Sequence, residues 1–177
     1  MHHSGGSSDG WYDNEWAVMS MIEVSPAALA AHPFLHGMPR DQLATLAEAA
    51  SDVTFAARYR IFEDGGHAAR FWLIQSGHVA VDLQVPGEGP VIIETIGMGE
   101  LLGWSWLFAP FKWAFGAVAA TPVEAFEFDG PAVRAGCASD PALGYELHQR
   151  VSRVLAKRLQ ATRVRLIART GYSAGVP

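Results

Sequence analysis

The apolar positions of this chain change period twice, and each period predicts a different kind of element. From Ser25 to about residue 50 the spacing is helical. Ser25-Pro26 supplies a cap and a first-turn proline, and residues 32–35 (His-Pro-Phe-Leu) break that first helix. Pro39-Arg40-Asp41 then opens a second helix, in which Leu43, Leu46, Ala47 and Ala50 share one face.

After Ser51 the rhythm is that of strands. Glycines at 65/66, 77, 87/89 and 97/99 place a turn roughly every ten to twelve residues, as in an all-β sandwich or barrel. Strands are predicted at 53–56, 59–62, 71–75, 79–85 and 91–96, with 86–90 as an exposed hairpin tip. Val79, Val81, Leu83 and Val85 alternate with His78, Ala80, Asp82 and Gln84, which predicts one buried face and one wet one. Residues 71–74 are apolar throughout and suit a strand covered on both sides. Gly97 and Gly99 precede a stretch up to residue 108 that can form a short helix; strands resume at 114–120 and 123–128. Asp129-Gly130-Pro131 returns the chain to helix.

The third pattern is a long helix over about 141–168, with Asp140 as N-cap and Pro141 in the first turn. Leu147, Val151, Leu155, Leu159, Thr162 and Leu166 form a narrow stripe flanked by Arg, Lys and Gln. A helix lying on its own domain usually presents a wider apolar face. So narrow a stripe predicts a helix pair, here a homodimer seam.

Composition agrees with a folded body. Half of the 177 residues are apolar and 18% are charged, against about 25% charged in ordinary soluble chains. Disorder as the main state is excluded, and no apolar run approaches the ~20 residues of a membrane helix. With no signal-peptide pattern at the start, the expected location is the cytoplasm. The single cysteine, Cys137, excludes an internal disulfide or a cysteine-based zinc site. Residues 1–140 carry six Lys/Arg and seventeen Asp/Glu, whereas 141–177 carry seven Lys/Arg and one acid. The basic end is amphipathic, so its charges are expected on the solvated face of a helix or paired with the acidic body, not on nucleic acid. Residues 1–20 are set aside as a Gly/Ser-rich arm or tag remnant; within it, 11–16 resemble a short stretch of glyceraldehyde-3-phosphate dehydrogenases, a likeness nothing else supports. Residues 169–177 are expected to be a tail.

Four segments then occur in a recognisable order: 32–35 (HPFL), 61–65 (IFEDG), 71–79 (FWLIQSGHV) and 99–103 (GELLG). Together they resemble the cyclic nucleotide-binding domain of CRP/FNR-type regulators, over about residues 32–168. The resemblance implies a mainly β, α+β fold: a β-roll or jelly roll over 25–137 with N-terminal helices, followed by a dimerisation helix over 140–168. It also implies a phosphate-binding cassette at Gly99, Glu100, Leu101 and Leu102, where backbone N–H groups at a helix start meet the anion and Gly99 permits close approach. The family role of a glutamate at 100 is to accept a hydrogen bond from a ribose hydroxyl.

The family also places an arginine near the end of this cassette, whose fork pairs with the phosphate. Here that position is Trp113, within Lys112, Trp113 and Ala114, and no arginine lies between Arg70 and Arg134. An indole does not neutralise a phosphate, and alternation puts Lys112 on the face opposite Trp113. The rings of Trp104, Trp106, Phe108, Phe111, Trp113 and Phe115 are expected to pack as core where the ligand would sit, rather than to line an aromatic site.

Catalytic signatures are missing. His67 and His78 suggest a cupin-like metal site only if further ligands converge, Ser76 and Ser105 are in no Gly-x-Ser-x-Gly elbow, and no phosphate loop is present. CRP-like regulators continue into a winged helix-turn-helix, and only about ten residues follow the last helix here, so sequence-specific DNA binding is not expected. The expectation is a stand-alone, non-catalytic, dimeric sensor without cofactor, metal or membrane contact, acting on a protein partner through a degenerate nucleotide pocket. The alternatives are true cyclic AMP or GMP binding through 99–102, Glu100 and Lys112, and a cupin-like metalloenzyme.

Overall fold

A computed structural model describes residues 23–169; the arm at 1–20, with its dehydrogenase-like hexapeptide, and the tail beyond 169 lie outside them. Helix α1 (Pro26–Ala31) is capped by Ser25, whose Oγ accepts from the Ala28 N–H at 3.1 Å. A single 3-10 turn (Pro33–Leu35) and α2 (Arg40–Glu48) follow. The strands are β1 (Ala50–Phe55), β2 (Arg60–Phe62), β3 (Arg70–Ser76), β4 (Val79–Val85), β5 (Gly89–Ile96), β6 (Leu101–Leu102), β7 (Gly116–Ala119) and β8 (Val123–Asp129). Helices α3 (Gly130–Ser139) and α4 (Pro141–Arg169) close the chain. Asp140 Oδ1 accepts from the Ala142 N–H at 2.9 Å, capping α4 as its sequence predicts.

The strands form two four-stranded antiparallel sheets, ordered β1-β8-β3-β6 and β2-β7-β4-β5. This mainly β body with flanking helices matches the expected fold class. Two cores result, and β3 serves both because its side chains alternate. Phe71 and Leu73 pack with the helices, whereas Trp72 and Ile74 point between the sheets. β8 divides likewise: Phe126 and Phe128 face the helices, and Val123 and Ala125 face the second sheet.

Two local expectations are corrected. On β4, Ala80 and Asp82 are buried and Leu83 is 37% exposed, against the predicted alternation. The pairing of β4 with β5 slips between Val81 and Asp82, a bulge that re-aims the side chains. Arg60 of β2 then meets the buried Asp82 carboxylate at 2.6 Å. β7 starts at Gly116, not at 114, because Trp113 is held in the preceding loop by backbone bonds to the 65–66 turn, donating to Gly66 O at 2.8 Å and accepting from the Gly65 N–H at 2.9 Å. Among the described residues no helix is long and apolar enough to cross a membrane.

Candidate functional site

The residues expected to form the cassette lie between β5, β6 and α4. Gly99 has φ +81°, a backbone state that favours glycine, and its N–H donates to Ile74 O at 2.8 Å. A Cβ at Gly99 would stand 3.0 Å from the Pro33 ring, so the 3-10 turn seals that side. The same Ile74 carbonyl accepts from His32 Nε2 at 3.0 Å, while His32 Nδ1 accepts from the Phe34 N–H at 3.2 Å. His32 thereby ties the turn at 33–35 to the cassette through a shared carbonyl. Burial lowers the His32 pKa, partly opposed by the Ile74 bond, which suits the neutral ring these contacts need.

No helix starts at 99–102. Leu101 and Leu102 pair with β3 as strand β6, and the helical turn comes later, at Ser105–Leu107. Strand pairing thus takes the place of the helix N-terminus expected here. Glu100 Oε2 accepts from the Gly97 N–H at 2.8 Å, so the carboxylate caps its own turn.

Trp113 is 6% exposed, and its ring centroid lies 4.0 Å from that of Phe62 in a stacked pair. On its other side a Cβ at Gly103 would be 2.9 Å from the indole. The cavity bordered by Phe62, Leu102, Trp113, Ala114 and Arg158 has about 40 Å³. Small-molecule sites usually have about 300–1,000 Å³. Lys112 is exposed, its backbone bridged to that of His67. The other aromatic residues scatter: Trp106 is buried against Phe71 in the helix-side core, and Phe108 is 39% exposed.

A cation reaches the cassette from another element. Arg158 of α4, expected on a solvated helix face, turns inward with 16% of its side chain exposed. Its Nη2 donates to Leu101 O, and its Nε lies 3.4 Å from Glu94. Burial lowers its pKa, against the opposing pull of Glu94 and Glu100. The sequence signal that could have found it is a second set of positions on the helix, 154, 158, 161 and 165, spaced to share one face.

Along the dimer stripe, Leu147 and Val151 are buried in the helix-side core and Leu155 packs against it half-buried. Leu159, Thr162 and Leu166 are exposed. The first half of the stripe therefore serves this domain itself. Among the described residues no group of three or more His, Cys, Asp or Glu is placed to hold a metal.

Comparisons with known proteins agree with this architecture. A CRP-like cAMP-activated global transcriptional regulator of Mycobacterium tuberculosis is 27% identical over 134 residues, which is 76% of this chain and 58% of that protein. This chain thus spans under two thirds of the curated relatives' length. A Geobacter metallireducens protein provisionally assigned as cyclic nucleotide-binding superposes with a TM-score of 0.70 at 24% identity, covering 77% of this chain and 98% of its own. The regulatory subunit of a cAMP-independent protein kinase A from Trypanosoma brucei superposes at 0.63 with 18% identity, over 78% of this chain and 48% of that one. The paired sheets and the cassette between β5 and β7 coincide with a match of residues 52–140 to the cyclic nucleotide-binding domain, and the chain belongs to that family.

Proposed function

We propose that this domain is a non-catalytic, dimeric regulator that acts by contact with a protein partner, with a degenerate nucleotide pocket. One observation carries the reading: the buried, neutral ring of Trp113 stands where the resemblance places the phosphate-pairing arginine, stacked on Phe62 at 4.0 Å. The body over 25–137 is the sensor, and the helix over 140–168 is the output. A signal works by shifting α4 relative to the roll, and a ligand does so only through different affinity for the two positions. The Trypanosoma brucei kinase subunit, described as cAMP-independent, offers a precedent for this fold regulating without that nucleotide.

The dimer uses the outward part of the stripe. Leu159 is 53% and Leu166 63% exposed, and Leu155 belongs partly to the domain's own core. Leu159→Glu with Leu166→Glu is expected to convert a dimer to monomer in sedimentation velocity without unfolding it; a wild type that sediments as a monomer removes this part of the reading.

A second reading, true cyclic nucleotide binding through 99–102 with Glu100 and Lys112, has Arg158 in its favour, since a buried guanidinium already faces the cassette. Calorimetry with cyclic AMP and cyclic GMP separates the two. The first reading expects no saturable heat. Saturable binding weakened by Glu100→Ala would replace it with the second.

A further inference from the structure

A cavity of about 380 Å³ opens at the rim of the inter-sheet core, where β1, β2, β3 and β8 meet the 63–69 loop. Neither α4 nor residues 97–102 line it. Its walls are aromatic: Phe55, Tyr59, Phe62, Trp72 and Trp113. The rings form two stacks. In one, Phe62 lies 4.0 Å from Trp113 and 5.5 Å from Trp72, with interplanar angles of 18° and 13°. In the other, Phe55 lies 5.3 Å from Tyr59, with planes 19° apart. Phe55 and Trp72 meet edge-on at 72° and 6.3 Å, so the two stacks stand as adjoining walls.

Core packing accounts for Trp72 and Trp113, which are 4% and 6% exposed. It leaves three large rings, Phe55, Tyr59 and Phe62, half-buried around a hollow. Polar groups of the lining fix the walls. Trp72 Nε1 donates to Glu127 Oε2 at 2.8 Å, and Arg70 donates to the other oxygen of that carboxylate. Glu127 is therefore committed. Glu63 is less so: it lies 3.5 Å from Arg60, and that guanidinium is closer to the buried Asp82, at 2.6 Å. Two arginines thus serve three carboxylates. With His67 counted neutral, the surplus is one negative charge, at a Glu63 side chain that is 65% exposed.

An aromatic face attracts a cation through its quadrupole, within about 6 Å of the ring centre. A bare ammonium is strongly hydrated and gives up that water in an apolar hollow at a cost. An alkylated ammonium offers hydrocarbon to the rings and still presents its charge to their faces. We propose that this cavity binds a compact alkylated ammonium ion of the trimethylammonium type, held against Phe55, Tyr59, Phe62 and Trp72 with Glu63 as its counter-charge. The volume falls within the range of small-molecule sites, about 300–1,000 Å³. An anion would be repelled by the surplus carboxylate, and a neutral ligand gains nothing from it. The site does not rest on the function proposed above. A monomeric chain, or one that binds cyclic AMP at residues 99–102, would leave this lining as it is.

The test is calorimetric titration of the full chain at pH 8 with choline chloride, beside dimethylbutanol, in which carbon replaces the nitrogen, and ammonium chloride. Choline is expected to saturate one site per chain. Dimethylbutanol should bind about tenfold more weakly, the worth of a partly desolvated cation among several rings, and ammonium should give no saturable heat. Glu63→Gln, at an exposed side chain, should weaken choline about threefold and leave dimethylbutanol unchanged. Tyr59→Leu should weaken choline about fivefold, with circular dichroism showing that the chain stays folded. Phosphatidylcholine vesicles carry the same head group on a lipid and are not expected to sediment the chain. Absence of choline saturation, equal affinity for dimethylbutanol, saturable ammonium binding, undiminished choline binding in both variants, or vesicle binding in place of choline binding each overturns the proposal. Sedimentation velocity and cyclic AMP titration, which test the function above, are separate measurements on the same protein, and either set can fail alone.

Discussion

Replacing Trp113 by alanine tests what that ring does. The side chain is 6% exposed, stacks on Phe62 at 4.0 Å, and lies 5.9 Å from Trp72. Deleting a buried tryptophan costs about 3–5 kcal/mol from lost transfer energy and the cavity left behind. Relaxation is limited here, because Gly103 on one side is backbone with no side chain to fill the gap, and Phe62 on the other is held by Trp72 at 5.5 Å. A loss of about 4 kcal/mol is a large share of the 5–15 kcal/mol of an ordinary domain. With a urea slope of about 2 kcal/mol per molar, the midpoint falls by about 2 M. The matched control is Lys112→Ala, at an exposed side chain, which should change stability by no more than about 0.5 kcal/mol. A Trp113→Ala loss under about 1 kcal/mol would refute the argument that the indole is a packed part of the inter-sheet core. The variant is not expected to gain cyclic nucleotide binding, because Arg158, the cation that borders the vacated space, is already paired with Glu94 at 3.4 Å.

Three further outcomes follow from named contacts. Burial depresses the His32 pKa below 6.5 in the folded chain, so the unfolded state takes up a proton first, and stability present above pH 6.5 is lost as the pH falls from there through the folded pKa. His32→Gln should flatten that dependence when urea midpoints are compared at pH 7.5 and 5.5. Arg60→Ala strands the Asp82 carboxylate, 6% exposed, but Arg60 itself is 30% exposed. After allowing for that screening the expected cost is about 2–3 kcal/mol, most of it recovered in Arg60→Met/Asp82→Leu, again by urea titration. Leu147→Ala, at a residue 1% exposed, should cost about 3 kcal/mol, whereas Leu159→Ala should cost under about 0.5 kcal/mol at concentrations where the chain is monomeric; equal losses would mean that the stripe does not divide at Leu155.

Much of the fold is legible because its signals are local. The Ser25 and Asp140 caps, the fully apolar β3 and the glycine-punctuated turns each follow from a few neighbouring residues. So does the contrast between the exposed Lys112 and the buried Trp113. Asp82 shows where local pattern stops: its burial depends on a bulge opposite it and on Arg60, twenty-two residues away. The cassette is a similar case. Gly99 and Glu100 are conspicuous in the sequence, but whether 101–102 begin a helix or pair as a strand is decided by the free edge of β3. Arg158 escaped for the same reason. On a helical wheel it is one of several basic residues off the stripe, and only the approach of β6 and Glu94 distinguishes it from Arg153 or Arg163.

The arginines of α4 also divide that helix into a firmly fixed half and a more loosely held one. Its first half is fixed by hydrocarbon, with Leu143, Leu147 and Val151 in the same core as Phe71 and Phe128. Beyond Leu155 the inward contacts are polar: Arg158 donates to Leu101 O and Arg165 to Ile93 O. At the junction Arg150 donates to Phe34 O at 2.6 Å and His36 O at 3.1 Å, which joins the helix to the turn that His32 anchors. A bond from a charged donor is worth about 1.5–3 kcal/mol. Releasing the Arg158–Leu101 bond therefore costs less than moving Leu147 and Val151, which would open the core at several kcal/mol each. The distal half of α4, with the exposed Leu159 and Leu166, is thus the part that can change position at least cost while the β-roll stays intact.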